Sequence, residues 1–136
     1  MAIVLLTVEK LEELDKLLAE LREHACCGTP IIVEGANDIK ALKRLEIKGQ
    51  FHKISGGKSL LNFIESFSSS KRVIVLTDFD QTGDKLAKFC VKHLKQLDVE
   101  PVTEIRRKLK SLLHKDVKDI EGLARFLSNQ HLVAKS

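Results

Sequence analysis

The chain has no tyrosine and no tryptophan, and six phenylalanines supply all of its aromatic side chains. The missing tyrosine excludes strand cleavage through a tyrosyl phosphodiester by this chain alone. Cysteine is scarce. The adjacent pair Cys26 and Cys27 and the distant Cys90 match neither a C-x-x-C metal site nor a disulfide framework, so reduced thiols in a cytoplasmic protein are expected. No stretch approaches the roughly 18 consecutive apolar residues of a membrane helix. The opening MAIVLLTVEK carries neither a basic leader segment nor a small-residue cleavage site, and no membrane partner is expected. Only two prolines occur, Pro30 and Pro101, and no linker or internal repeat divides the chain. Residues 1–136 are read as one domain, long enough for a hydrophobic core without a disulfide or structural metal. The net charge of +4 permits an anionic partner without demanding one, so the placement of the charges matters more than their sum.

What the sequence does contain is concentrated in Arg72 to Gly83, RVIVLTDFDQTG. Val73, Ile74, Val75 and Leu76 read as a strand buried on both faces of a parallel sheet, and the run stops at Thr77, Asp78, Phe79 and Asp80. Open α/β sheets collect their ligands at the carboxyl ends of such strands. Side chains at i and i+2 of an extended segment point the same way, which predicts that Asp78 and Asp80 converge. Two carboxylates about 4 Å apart repel by roughly 4 kcal/mol at an effective dielectric of about 20. A shared proton, a basic partner or a divalent cation would offset that. The alternative is two solvated aspartates, one of them capping a helix that starts near Thr82.

Thr7 to about Ala25 carries leucines at 11, 14, 17, 18 and 21, a helical spacing whose apolar stripe packs either on the core or on a second copy of the chain as a homodimer. Gly28, Thr29 and Pro30 end it. Pro30 to Val33 is a second buried strand. It too ends in a carboxylate, Glu34, followed by Gly35 and a helix opened by Asn37 or Asp38 that runs to about Leu45. Gln50 to Ser55 reads as a shorter strand, and Ser55-Gly56-Gly57-Lys58-Ser59 turns into a helix from Leu60 to Phe67. That turn lacks the first glycine of a phosphate loop, because His52 stands there; it is either a plain turn or an anion site using Lys58 and a helix N-terminus.

After Gly83 come a helix from about Asp84 to Leu97 and a short strand, Asp98 to Val102, whose proline suits a sheet edge. A basic helix then runs from Glu104 to Lys115, with Ile105, Leu109, Leu112 and Leu113 inward and Arg106, Arg107, Lys108, Lys110 and Lys115 outward. Its cations face a single acid, Glu104, so the segment is either a phosphate-binding surface or a solvated face. The last helix spans about Asp119 to Ser128, with a frayed tail after Asn129.

Strands alternating with helices predict an α/β fold with a four-stranded parallel sheet and helices on both faces. Right-handed crossovers, with the second strand on one side of the first and the third on the other, predict the order 2-1-3-4. Strands one and three are then neighbours, and Glu34 meets Asp78 and Asp80 at the switch point.

Glu34-Gly35 with Asp38, followed by Asp78-x-Asp80-x-x-Gly83 after a hydrophobic strand, resembles the Toprim domain shared by topoisomerases, bacterial-type primases, overcoming-lysogenization-defect nucleases, recombination mediators and 5S ribosomal-RNA maturases. The resemblance covers about Pro30 to Thr103. The chain length, the VEGxxDIKAL phrase and the basic C-terminal segment resemble most the small Toprim proteins of archaea, related to the maturases. The zinc-binding and polymerase modules of primases have no counterpart. The resemblance implies a single-domain, Rossmann-like fold, with residues 29–103 as its core, 1–28 as an N-terminal helical extension and 104–136 as basic C-terminal helices. It implies Glu34 as general acid or base and Asp78 and Asp80 as ligands of Mg²⁺, with Mn²⁺ as the alternative ion. Gly35, Asp38 and Gly83 would support the site.

The function so implied is Mg²⁺-dependent phosphodiester processing of nucleic acid, RNA rather than DNA, by a nuclease or RNA-maturation factor. Lys58, Arg106, Arg107, Lys108 and Lys110 are the candidate phosphate contacts. Two other functions fit the residues. An adaptor would bind nucleic acid or a ribonucleoprotein without cutting it. Asp78-Phe79-Asp80-Gln81-Thr82 also fits the D-x-D-x-T phrase of haloacid-dehalogenase-type phosphatases, a fold that needs further strands to bring a lysine and another acidic pair.

Overall fold

The structure, a computed structural model, describes residues 7–54, 59–113 and 117–135, with side chains through Ser128. Helix α1 (Val8–Cys26) starts where Thr7 Oγ1 accepts the Lys10 N–H at 3.2 Å, and Gly28, at φ 81°, turns the chain out of it. Strand β1 (Ile31–Val33) is buried throughout, as three β-branched apolar residues in a row require. There follow α2 (Ala36–Arg44), β2 (Phe51–Lys53), α3 (Leu60–Glu65), β3 (Arg72–Val75), α4 (Gln81–Gln96), β4 (Glu100–Val102), α5 (Glu104–Leu113) and α6 (Ile120–Lys135). Helix α4 starts at Gln81 rather than at Asp84 because Asp80 caps it. Helix α6 continues to Lys135 where fraying after Asn129 was expected; Phe126 and Leu127 pack on the core just before that point.

The four strands pair in parallel in the order β2-β1-β3-β4. Ile31 of β1 stands opposite Phe51 on one side and Ile74 on the other, and Pro101 sits on the edge strand β4 opposite Val73. Right-handed crossovers then dictate the layers. The step from β1 through α2 to β2 runs one way across the sheet, and the steps through α3 and α4 run back, so α2 covers one face and α3 and α4 the other. Ile64, Phe67, Ala87, Cys90 and Leu94 accordingly pack with Ile32, Val73 and Val75. Burial pushes the Cys90 thiol up to about 11, so it behaves as an apolar core residue.

Helices α1, α5 and α6 join α2 on the first face. Leu14, Leu17, Leu18 and Leu21 of α1 share one core with Ile31, Val33, Ile74 and Leu76 of the sheet region and with Ile105 and Leu109 of α5. Each buried leucine contributes about 1.5–3 kcal/mol. The stripe of α1 is thus consumed within the chain rather than presented to a second copy.

Candidate metal centre

The strand order sets the carboxyl ends of β1 and β3 side by side. Glu34, just past β1, turns its Oε2 to accept the backbone N–H of Asp78, just past β3, at 2.5 Å. Asp38 lies in the first turn of α2 and is only 6% exposed. Its Oδ2 accepts the Gly35 N–H at 3.1 Å while its own N–H donates to the Gly35 carbonyl at 3.2 Å, a reciprocal pair that fixes Gly35 as the cap of α2. Asp38, Asp78 and Asp119 each bring one carboxylate oxygen within 4.8 Å of the other two.

Asp119 arrives from the amino end of α6, where its Oδ1 accepts the Gly122 N–H at 2.7 Å. The approach is fastened by the Phe79 N–H, which donates to the Lys118 carbonyl at 2.6 Å. Sequence reasoning passed over Asp119 because no strand precedes it. Its only local signal is a helix-cap pattern, and a cap says nothing about distant neighbours.

Asp80 is not among the three whose oxygens meet, although its charge also acts on the Asp78 carboxyl. It is exposed, and its Oδ1 accepts the Gly83 N–H at 2.7 Å as the N-cap of α4. A starting helix leaves N–H groups without partners, and one Asp80 oxygen meets one of them, as one Asp119 oxygen does at the start of α6. Gly83 is required for a different reason: a Cβ there would collide with the Asp78 carbonyl. Thr77, fully buried, donates through Oγ1 to the Gly83 carbonyl at 2.7 Å and closes the loop.

The structure corrects the expected place of Arg106. Expected on the outer face of the basic helix, it is 8% exposed. Its Nε donates to the Thr77 carbonyl at 3.0 Å, and its Nη2 donates to the Asp78 carbonyl and, at 2.7 Å, to Asp84 Oδ1. The carbonyls at the end of β3 need donors once α5 covers them, and a guanidinium can serve several at once. Lys110 reaches Asp84 Oδ2 at 2.6 Å, and the hydrogen bonds from Lys110 and Arg106 hold the Asp84 carboxyl below its usual range. Arg107 and Lys108 pair with Glu104 at 2.9 and 3.6 Å on the surface. Such exposed pairs are weak and leave both cations free to exchange partners. Lys58 lies outside the described residues; the following Ser59 caps α3 through the Asn62 N–H at 3.1 Å.

Residues 29–112 match the Toprim domain. The chain belongs to the Toprim family. A UPF0292 protein of Methanosarcina barkeri is 38% identical over 91% of this chain and 87% of its own length. A UPF0292 protein of Pyrococcus furiosus is 37% identical over 85% and 84%. A solved structure of a protein from Aquifex aeolicus superposes with a TM-score of 0.67 at 26% identity, over 79% of this chain and 94% of that one. This Toprim chain thus has small archaeal relatives of similar extent. Among its described residues only β4 follows the acidic loop, fewer strands than the D-x-D-x-T phosphatase pattern requires. No described helix is long and apolar enough to cross a membrane.

The Toprim family implies a divalent cation, and the donor set fits one. All donors are carboxylate oxygens, suited to hard ions such as Mg²⁺ or Mn²⁺. The Asp78 carboxyl is pushed up to about 7, first by burial and then by Glu34, Asp38, Asp119 and Asp80. Asp38 is raised as well, chiefly by burial and further by Asp119 and Glu34, against the opposing backbone N–H groups of Gly35 and Glu121.

Proposed function

We propose that this Toprim protein processes phosphodiester bonds of nucleic acid, RNA rather than DNA, with Mg²⁺ or Mn²⁺ held at the acidic cluster. The observation that carries the reading is the convergence of Asp38, Asp78 and Asp119 within 4.8 Å with every influence on Asp78 raising its pKa. Such a cluster of carboxylates favours a bound cation. Asp38 and Asp78 are the core carboxylates that would hold it. A divalent ion bound there supplies charge stabilisation at a phosphate and polarises its oxygens.

Glu34 acts as general acid or base. The Asp78 N–H fixes one of its oxygens, which orients the carboxylate beside the cluster and leaves the other oxygen for proton transfer. Gly83 lets the backbone of the loop close on itself, so the Asp78 side chain is presented from a defined position. A groove opens beside Asp80 and is lined by Arg107, Lys110, Ser111 and Lys118. Its cations, with Lys108 and Lys58, contact the phosphates of the strand. The preference for RNA rests on the resemblance to the maturase branch of the family.

The deciding assay incubates purified protein with structured RNA and with DNA of the same sequence, in Mg²⁺, in Mn²⁺ and in EDTA. Cleavage of RNA that requires the metal is the expected result. RNA binding without metal-dependent cleavage would make the protein an adaptor, and cleavage of DNA alone would overturn the assigned substrate.

A further inference from the structure

We propose that Arg106 is a positioning residue of the site, whose guanidinium clamps the two peptide units flanking the Asp78 Cα and so fixes where the Asp78 carboxylate points and which way Glu34 is turned. The inference rests on the proposed function and deepens it. The carbonyl of Thr77 and the N–H of Asp78 belong to one peptide unit. That carbonyl accepts the Arg106 Nε–H at 3.0 Å, and that N–H donates to Glu34 Oε2 at 2.5 Å. The carbonyl of Asp78 and the N–H of Phe79 belong to the next unit. Here the carbonyl accepts from Arg106 Nη2, and the N–H donates to the Lys118 carbonyl at 2.6 Å. Each peptide plane is thus held at both ends, with Arg106 at the carbonyl end of both.

Planar peptides leave a residue only φ and ψ, so two fixed planes fix the direction of the side chain that stands between them. For Asp78 that direction brings a carboxylate oxygen within 4.8 Å of those of Asp38 and Asp119. In the first plane the guanidinium sits at the carbonyl end and the Glu34 carboxylate at the N–H end. The peptide therefore bridges two opposite charges, and the hydrogen bond at one end strengthens the one at the other. The guanidinium itself has little freedom. Asp84 Oδ1 accepts from its Nη2 at 2.7 Å, and its neighbours on the inner side of α5, Ile105 and Leu109, are at most 2% exposed. A lysine does not reproduce the clamp, because its donors radiate from one nitrogen instead of lying along a planar fork.

Arg106→Lys keeps the charge and loses the fork. Mn²⁺ affinity by titration calorimetry, single-turnover cleavage of structured RNA and RNA affinity would be compared in parent and variant at a temperature where circular dichroism shows both folded. The variant should bind Mn²⁺ about tenfold more weakly and cleave about 10²-fold more slowly. Its RNA affinity should match the parent's, since the cations that face phosphate are intact. The Asp78 and Phe79 amide proton resonances should move upfield as their hydrogen bonds weaken. A folded variant with parental Mn²⁺ affinity and cleavage rate would reduce Arg106 to a structural anchor and overturn the proposal. If the variant does not fold, the parent decides: hydrogen-bond scalar couplings that link Arg106 Nε to the Thr77 carbonyl and the Asp78 amide to the Glu34 carboxylate support the clamp, and the absence of either overturns it. A parent that binds Mn²⁺ but does not cleave RNA would overturn the proposed function, and the clamp then stands or falls on the loss of Mn²⁺ affinity in the variant. A parent that binds no Mn²⁺ would overturn the metal reading itself and this inference with it.

Discussion

Asp78→Asn should make the metal-free protein less sensitive to pH and more stable above neutrality. The Asp78 carboxyl is pushed from an ordinary 3.8 to about 7, first by burial and then by four neighbouring carboxylates. Because the folded-state value is raised, the fold holds this proton more tightly than the unfolded chain does. The resulting stabilisation is complete below about pH 4 and is lost as pH rises through about 7. At 1.36 kcal/mol per pH unit the upper limit is about 4 kcal/mol. Asp78 is only half-buried, and solvent screening reduces this to roughly 1–2 kcal/mol. Relative to the variant, the parent in EDTA should therefore lose about 3–8 °C of Tm between pH 5 and pH 8. Circular-dichroism melts of both proteins in EDTA, at half-unit steps of pH, measure that difference directly. A difference in Tm that stays constant across the range, or that widens toward acid, would refute the reasoning. Saturating Mn²⁺ should reverse the order at pH 8, because only the parent gains a strong ligand.

Arg106→Gln strips donors from the buried carbonyls of Thr77 and Asp78 and should cost about 2–4 kcal/mol in urea unfolding; a loss under about 0.5 kcal/mol would mean that the guanidinium is not buried in solution. Glu34→Gln keeps an acceptor for the Asp78 N–H, so the loop should survive while single-turnover cleavage slows by on the order of 10²–10⁴ with little change in RNA affinity. Equal losses in rate and affinity would recast Glu34 as a binding residue. Replacing Arg107, Lys108 and Lys110 together by Gln should flatten the slope of log affinity against log salt by about two units, at roughly 0.7–0.9 per lost phosphate contact. An unchanged slope would reduce α5 to a solvated face.

Much of the fold was legible because the signals are local and periodic. Ile31 to Val33 and Val73 to Val75 announce buried parallel strands by composition, and the leucines of α1 announce its inner face by spacing. The order 2-1-3-4 adds only the handedness of crossovers, and it brings Glu34 to Asp78 across 44 residues. At Asp80 the sequence supported two readings, an acidic pair or a cap, and both rest on the same short-range geometry. The structure shows the cap, because helix α4 begins at Gln81 and Asp80 Oδ1 meets its Gly83 N–H.

The sequence by itself determined the strands, the helices, their order and the two places where carboxylates end a buried strand. Those follow from period, composition and chirality, which act over a few residues or constrain every α/β chain alike. Only the tertiary structure decided which charges belong to the site. Arg106 sits beside an inward-facing isoleucine on a helix whose pattern reads as basic outside; it turns in because α5 lands on the carbonyls of Thr77 and Asp78, and those carbonyls need donors once water is excluded. Asp119 joins Asp38 and Asp78 because α6 packs against α2 and the Phe79 N–H seizes the Lys118 carbonyl. Neither meeting leaves a trace in local sequence, because each depends on where a helix docks, and docking is set by the summed fit of many apolar side chains rather than by the charged residue it carries into place.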